Sequence, residues 1–377
     1  MCGMYETVKE LVLAERRAGV KAFVVDPRPS VYDLKGKGAF EEKQKVHCPK
    51  CDSDHEVVTK RGLIATRPPD WVEVGGICVA PPSQIEKCDI VVSHSGLSPE
   101  IVKMVNKNKI PWIHLAHGRP NSSYRLERDE ANPIYTQYRK MLEEEMCRGL
   151  VTLWPGFEKY WELVFNPVFQ LQPFVNLDHW TPKEVKYDFS GKGAEAGCPN
   201  VVCGDIWRQD RDPFHLVHAF ARFAKTCPGA KLHLYAVTTD KPNTGRDTIL
   251  GVLEERGILG EVRGVVSNIR DVWRSADVVI TPHKIATRTV REALACGAQV
   301  VAGSGNPYTE YTADEEDLDA YADAIQDAWS DKCGFGEQCR KSNRQKAEDY
   351  FDGNVTARQF VDLFTEIIKA ETDGKNT

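Results

Sequence analysis

A chain of 377 residues exceeds what one ordinary core spans, so two α/β domains of roughly 150 to 200 residues each are expected. The 41% hydrophobic fraction fills both, and a net charge of -6 with no block of lysines and arginines excludes a general nucleic-acid-binding surface, though not a local basic groove. No run approaches the roughly 18 to 20 apolar residues of a membrane span and no signal segment opens the chain, so a cytoplasmic protein is expected.

Met4, Val8, Leu11 and Val12 recur at helical spacing, Gly19 stops the helix, and residues 21–25 read as a buried strand. Residues 31–75 are polar and read as an irregular insertion. The twelve cysteines are scattered, as reduced, mostly buried thiols would be, except inside this insertion. There Cys48, Cys51 and His55, with His47 beside them, form a knuckle whose thiolates and imidazole suit a structural zinc ion. Only one Cys-x-x-Cys is present, so free thiols in a surface loop are the competing reading, with Cys78 or Cys88 as further ligands if zinc is bound. Asp52-Ser53-Asp54 imitates a metal-holding Asp-x-Asp but lies inside the knuckle, so no catalytic metal is assigned to it.

Short apolar runs at 88–93, 110–115, 149–153 and 168–171, flanked by helical segments, predict a parallel sheet. The Gly-rich, charged stretch 186–200 reads as a linker, which sets the domains at 1–183 and 184–354. The tail 355–377 carries Phe360, Leu363, Phe364, Ile367 and Ile368 on one helical stripe that can close against either domain. In the second half, strands at 201–203, 231–236, 261–266, 277–281 and 299–302 alternate with helices. These start at Asp212-Pro213 and then cover 246–256, 269–275 and 288–296, an order that calls for a doubly wound parallel sheet.

Open parallel sheets bind ligands beyond the carboxyl ends of their strands. The loop after Cys203, GDIWRQDRDP, puts Arg208 and Arg211 just before a helix; the loop after Ile280, TPHKIATRTVRE, puts Lys284 and Arg288 before another. Cationic side chains beside helix-end amides, here Ala286 to Thr289, make a diphosphate site. Glu292, one turn into the helix, would repel phosphate, so a diol such as ribose is its sensible partner. Each residue alone reads better as solvated surface; their convergence on one sheet edge reverses that and carries the assignment.

The segments WRQDRDPFHLVHAFARFAKTCPGAKLHLYA and GILGEVRGVVSNIRDVWRSADVVITPHKIATRTVREALACGAQVVAG resemble the C-terminal domain of the family 4 retaining glycosyltransferases of GT-B fold. DIVVSHS, IPWIHLAHGRP and VTLWPGFEKYWELVFNPVFQLQPFVNLDHWTP are similar to that family's N-terminal domain. The resemblance implies two Rossmann-like domains facing a cleft, and metal-independent transfer of a sugar from a UDP- or GDP-sugar with retention at the anomeric carbon. Arg211 stands for the usual lysine and Arg208, one residue displaced, for the usual arginine; Glu292 matches the second of the paired glutamates, and His117 a histidine that faces the donor sugar. Taken alone, His117 at a strand end reads as a hydrogen-bonded structural residue, and His94 is a weaker candidate of the same kind. The resemblance thus makes His117, Arg208, Arg211 and Lys284 the candidate catalytic residues, and Gly3, Arg288, Thr289 and Glu292 the candidate donor-binding ones.

Two departures stand out. Lys284 replaces the first glutamate, and Ile285-Ala286-Thr287 replaces Gly-Phe-Gly. The chain also begins MCGMYET, already in the family's first loop, so Gly3 is what remains of the phosphate-facing turn. The first sheet is therefore expected to lack its usual central strand, and an upstream-extended chain to melt at a higher temperature; equal melting would overturn this. A nucleotide-sugar epimerase, or a degenerate sugar-nucleotide-binding module suggested by Lys284, are the competing readings. The acceptor, whether small molecule, glycan, lipid headgroup, protein or modified DNA base, is not encoded in a recognisable motif.

Overall fold

The structure, a computed structural model, describes residues 3–25, 41–48, 53–60, 63–64, 72–74, 77–80, 82–94, 99–116, 145–162, 165–183, 187–205, 214–237, 244–264, 266 and 268–373. The chain divides into two compact units, one of Pro173–Gly353 and one of Cys2–Gln172 with Asn354–Thr377.

In the second of these, α1 (Gly3–Arg17) leads to β1 (Val24–Val25). Residues 31–75 are not irregular throughout, as the sequence suggested. β2 (Glu41–Cys48) and β3 (Ser53–Lys60) form an antiparallel hairpin, with β4 (Leu63–Ile64) beside β3. β5 (Val72–Val74) pairs with β6 (Ile77–Ala80), which also pairs parallel with β1. EEKQKVHC opens with a run of polar residues, so its hydropathy carries no sustained period of two and the strand escapes that signal.

The four remaining strands are β7 (Val91–His94), β8 (Trp112–Ala116), β9 (Cys147–Thr152) and β10 (Val168–Gln170), with α2 (Pro99–Lys107) and a short α3 (Glu158–Trp161) between them. They form one parallel sheet in the order β10-β9-β8-β7. All five residues of β8 are buried, as a strand covered on both faces requires. Ile101 and Val105 of α2 pack with Ile85, Ile110, Trp112 and Met146.

The other unit holds β11 (Asn200–Cys203), α4 (Phe214–Thr226), β12 (Lys231–Leu234), α5 (Thr244–Glu255), β13 (Leu259–Val262), α6 (Ile269–Ser275), β14 (Val278–Ile280), α7 (Arg288–Ala295) and β15 (Gln299–Gly303). β16 (Tyr311–Ala313) and α8 (Leu318–Phe351) follow. The six strands are parallel in the order β13-β12-β11-β14-β15-β16, the doubly wound sheet that the alternation predicted. Sequence order reverses between β11 and β14, which opens a crevice beyond their carboxyl ends. Phe220 and Phe223 of α4 and Tyr321 and Ile325 of α8 fill one core with the strands' apolar residues.

Between residue 303 and the tail helix no element is expected from the sequence, yet β16 and α8 occupy most of that stretch. α8 is kinked at Gly336, and none of residues 331–342 is buried, so its apolar stripe is interrupted midway. The last helix, α9 (Gly353–Asp373), buries Phe360, Leu363, Phe364 and Ile367. It joins the N-terminal half: Gln359 Oε1 accepts the Gln172 amide N–H at 2.9 Å, Thr356 Oγ1 donates to the Gln172 carbonyl at 3.1 Å, and Glu371 pairs with Arg148.

The irregular segment that enters the six-stranded unit is held by arginines through its carbonyls. Arg291 of α7 donates to Phe174, Arg274 of α6 to Thr181 at 2.6 Å, and Arg340 of α8 to Pro182 at 2.9 Å. Arg344 donates to Leu177, to Trp180 at 2.6 Å, and to Ala295 at the end of α7. Among the described residues, no helix is long and apolar enough to cross a membrane.

Two buried titratable groups set opposite pH responses. His233 on β12 is fully buried; its Nδ1 accepts the Glu261 backbone N–H at 3.0 Å, so Nε2 carries the proton, 3.0 Å from Asn200 Oδ1. Burial pushes this imidazole down to about 4, from an ordinary value of 6.5. The unfolded chain therefore takes up the proton first as pH falls, and the native state loses up to about 3 kcal/mol between those two values. Melting curves of His233→Gln should show a shallower fall with acidification over that window. Glu15 on α1 is buried, its Oε1 makes no hydrogen bond among the described residues, and burial pushes its carboxyl up to about 8 from 4.5. Its contribution is fully present below 4.5 and is lost as pH rises through 8, so Glu15→Gln should raise the melting temperature in mildly alkaline buffer and leave it nearly unchanged at pH 4.

Candidate functional site

The chain leaves β14 at Thr281, whose N–H still donates to the Val301 carbonyl of β15 at 3.0 Å. The buried Tyr321 of α8 reinforces this end of the ladder: its hydroxyl lies 3.2 Å from the Thr281 N–H and faces the Thr281 and Val301 carbonyls at 2.9 and 3.0 Å. The loop that follows is fixed by Asn306, itself only 4% exposed. Its Nδ2 donates to the His283 carbonyl at 3.1 Å and the Ile285 carbonyl at 3.2 Å, and its Oδ1 accepts the Tyr308 N–H at 3.1 Å. Gly303 N–H also donates to His283, at 3.2 Å. Gly303 must stay a glycine, because a Cβ there would stand 2.3 Å from the Pro282 carbonyl oxygen.

This loop delivers the chain into α7. Thr287 at the N-cap makes no side-chain capping bond, and the first-turn amides have no acceptor within the helix. One turn on, Glu292 is buried and pairs with Arg288, while Trp273 of α6 sends its indole N–H toward Oε2 at 3.4 Å. The same indole covers Gly204 at the end of β11, where a Cβ would come within 2.4 Å of the ring. Next to Gly204, the buried Asp205 accepts a hydrogen bond from Thr289 Oγ1 at 3.3 Å, and His283 Nε2 lies 3.2 Å from the same carboxylate oxygen. The end of β11 and the start of α7 are thus stitched together across the reversal point of the sheet.

Of the residues singled out in the sequence, Lys284, Arg288, Thr289 and Glu292 come together on this loop and the first turn of α7. Lys284 is exposed, Arg288 half-buried, Thr289 and Glu292 buried. Gly3 is the first residue of α1, in the other unit. His117, Arg208, Arg211 and Cys51 lie outside the described residues. Cys48 ends β2 opposite Ser53, and His55 pairs with Val46 across the hairpin. Among the described residues no group of three or more His, Cys, Asp or Glu is arranged to hold a metal ion.

Asp205, Trp273, His283 and Asn306 escaped the sequence reading. Asp205 and His283 each follow a strand end by two or three positions, which is the one signal that marked them. Trp273 and Asn306 act from neighbouring elements and carry no local signal.

Similarity to proteins of known structure agrees with this architecture. The chain resembles HepE from Anabaena in complex with UDP and glucose, at 12% identity and a TM-score of 0.57, over 77% of this chain and 86% of that one. It also resembles trehalose 6-phosphate synthase from Burkholderia multivorans, at 14% identity and a TM-score of 0.55, over 75% and 72%. A third is the pneumococcal O-GlcNAc transferase GtfA in complex with UDP and GlcNAc, at 9% identity and a TM-score of 0.52, over 88% and 70%. No protein-family model and no curated protein sequence matches the chain. At these identities the likeness establishes the fold: α/β with parallel sheets of four and six strands, consistent with GT-B glycosyltransferases.

Removing the Asn306 side chain should leave two loop carbonyls without their donor. Asn306→Ala is expected to cost about 2 kcal/mol in urea unfolding; a loss within experimental error would show that the loop holds itself.

Proposed function

We propose that the chain is a glycosyltransferase that moves a sugar from a nucleotide-sugar donor to an acceptor with retention of configuration and without a metal in the transfer step. The observation that carries this reading is the meeting of uncapped α7 amides, Arg288 and the buried Glu292 at the reversal point between β11 and β14. As the glycosidic C–O bond breaks, negative charge builds on the diphosphate oxygen. Helix-start N–H groups aimed at that oxygen, with cations beside them, lower the barrier without moving. Arg208 and Arg211 supply the remaining positive charge in this reading, His117 faces the transferred sugar, and Gly3 belongs to the donor-binding set. Glu292 takes the ribose diol, a role in which its carboxylate accepts two hydrogen bonds. The UDP held by HepE and GtfA supports a uridine donor over a guanosine one.

Calorimetry with UDP, UDP-glucose, GDP and GDP-mannose tests the donor. UDP should bind, Glu292→Gln should weaken binding on the order of tenfold, and Arg211→Ala should lower the transfer rate more than the affinity. Mass spectrometry of acceptor mixtures, followed by the anomeric coupling constant of the product, tests transfer and retention; an inverted product removes the retaining assignment. Cys48, Cys51 and His55 are the residues that would hold a structural zinc, with free thiols as the competing reading. Protein purified without chelators should then carry one zinc per chain, and a much smaller content overturns that assignment.

A further inference from the structure

We infer that Lys284 selects a donor whose transferred sugar carries a negative charge, most simply a nucleotide-linked uronic acid. The inference rests on the nucleotide-sugar reading above and adds the class of sugar. Its basis is the contrast between Lys284 and its neighbours. Arg288 is committed to Glu292 and His283 lies against Asp205, whereas Lys284 is exposed and makes no ion pair with a described residue.

An exposed lysine is ordinarily a solvated, wandering charge. Here the backbone that carries it is immobilised on both sides. The carbonyls of residues 283 and 285 are both held by the buried Asn306 amide, and residue 283 also by Gly303 N–H. The stem of Lys284 lies over Gly303, its Cγ 3.1 Å from where a Cβ would stand. Absence of a side chain at the end of β15 therefore leaves room for that stem, and the ammonium group is launched from a fixed root.

Its position relative to the rest of the site sets what it meets. Glu292, backed by Trp273 over Gly204, marks the side of α7 next to β11. Lys284 stands over β15, and β11 and β15 flank β14 on opposite sides. A nucleotide sugar with its ribose on Glu292 and its diphosphate on the start of α7 extends its sugar toward Lys284. A neutral hexose gives an ammonium group only hydroxyl acceptors, while a carboxylate gives it a charge-assisted partner.

The test measures affinity by calorimetry on the full chain, with UDP, UDP-glucose and UDP-glucuronate, and with the GDP-mannose and GDP-mannuronate pair if guanosine diphosphate is the nucleotide held. Wild type should bind the uronate on the order of tenfold more tightly than the neutral sugar nucleotide. Lys284→Met should abolish that preference and keep the affinity for the bare diphosphate, and Lys284→Glu should reverse the preference. Matching melting temperatures of the variants exclude misfolding as the cause. Equal affinity of wild type for both sugars overturns the inference, as does a Lys284→Met variant that loses UDP as severely as UDP-glucuronate, which would assign the lysine to phosphate. If neither UDP nor GDP binds wild type, the nucleotide-sugar reading falls first and this inference with it.

Discussion

The hydroxyl of Tyr321 governs how β14 ends. A parallel strand that stops at the edge of a crevice leaves its last backbone groups at the margin of the ladder, where the Thr281 N–H keeps one bond, to the Val301 carbonyl at 3.0 Å. Tyr321, fully buried on α8, satisfies Thr281 and reaches Val301 of β15 as well. Burial holds its phenol well above the ordinary range, which favours the neutral hydroxyl as donor and acceptor. From that fixed point the chain can turn outward, be gripped by Asn306, and enter α7 at a defined angle. The direction of the first-turn amides, on which any anion chemistry here depends, follows from these uncharged contacts.

A second constraint acts from below. Guanidinium groups of Arg274, Arg291, Arg340 and Arg344 take up carbonyls of residues 174–182, and Arg344 also takes the Ala295 carbonyl that ends α7. Charged donors make stronger hydrogen bonds than neutral ones, and an irregular segment with no ladder of its own needs them. These backbone-holding arginines are distinct from the cations read from the sequence as ligand-binding, of which Arg288 pairs with Glu292 and Lys284 is exposed.

The doubly wound half was legible because its strands are short, fully buried and apolar, as in VVC, VVI and QVVAG, with helices of ordinary length between them. The hairpin at 41–60 was not, because its strands are mostly polar and carry no sustained alternation. α8 was missed for a different reason: its buried positions fall in two groups, 321–328 and 343–351, separated by an exposed stretch at the Gly336 kink. In the site, cations and a carboxylate near a helix start announced themselves through spacing. Asn306 and Trp273 did not, since each serves a residue that is distant in sequence and only the fold brings them near.

The return of α9 to the N-terminal half gives the two units different histories on the ribosome. Pro173–Gly353 is one continuous stretch and has all its parts as soon as it emerges. The unit made first is discontinuous, and lacks the helix that covers Gln172 and Arg148 until residues 354–373 have left the exit tunnel. The first half therefore stays incompletely covered until Pro173–Gly353 and then α9 have been made.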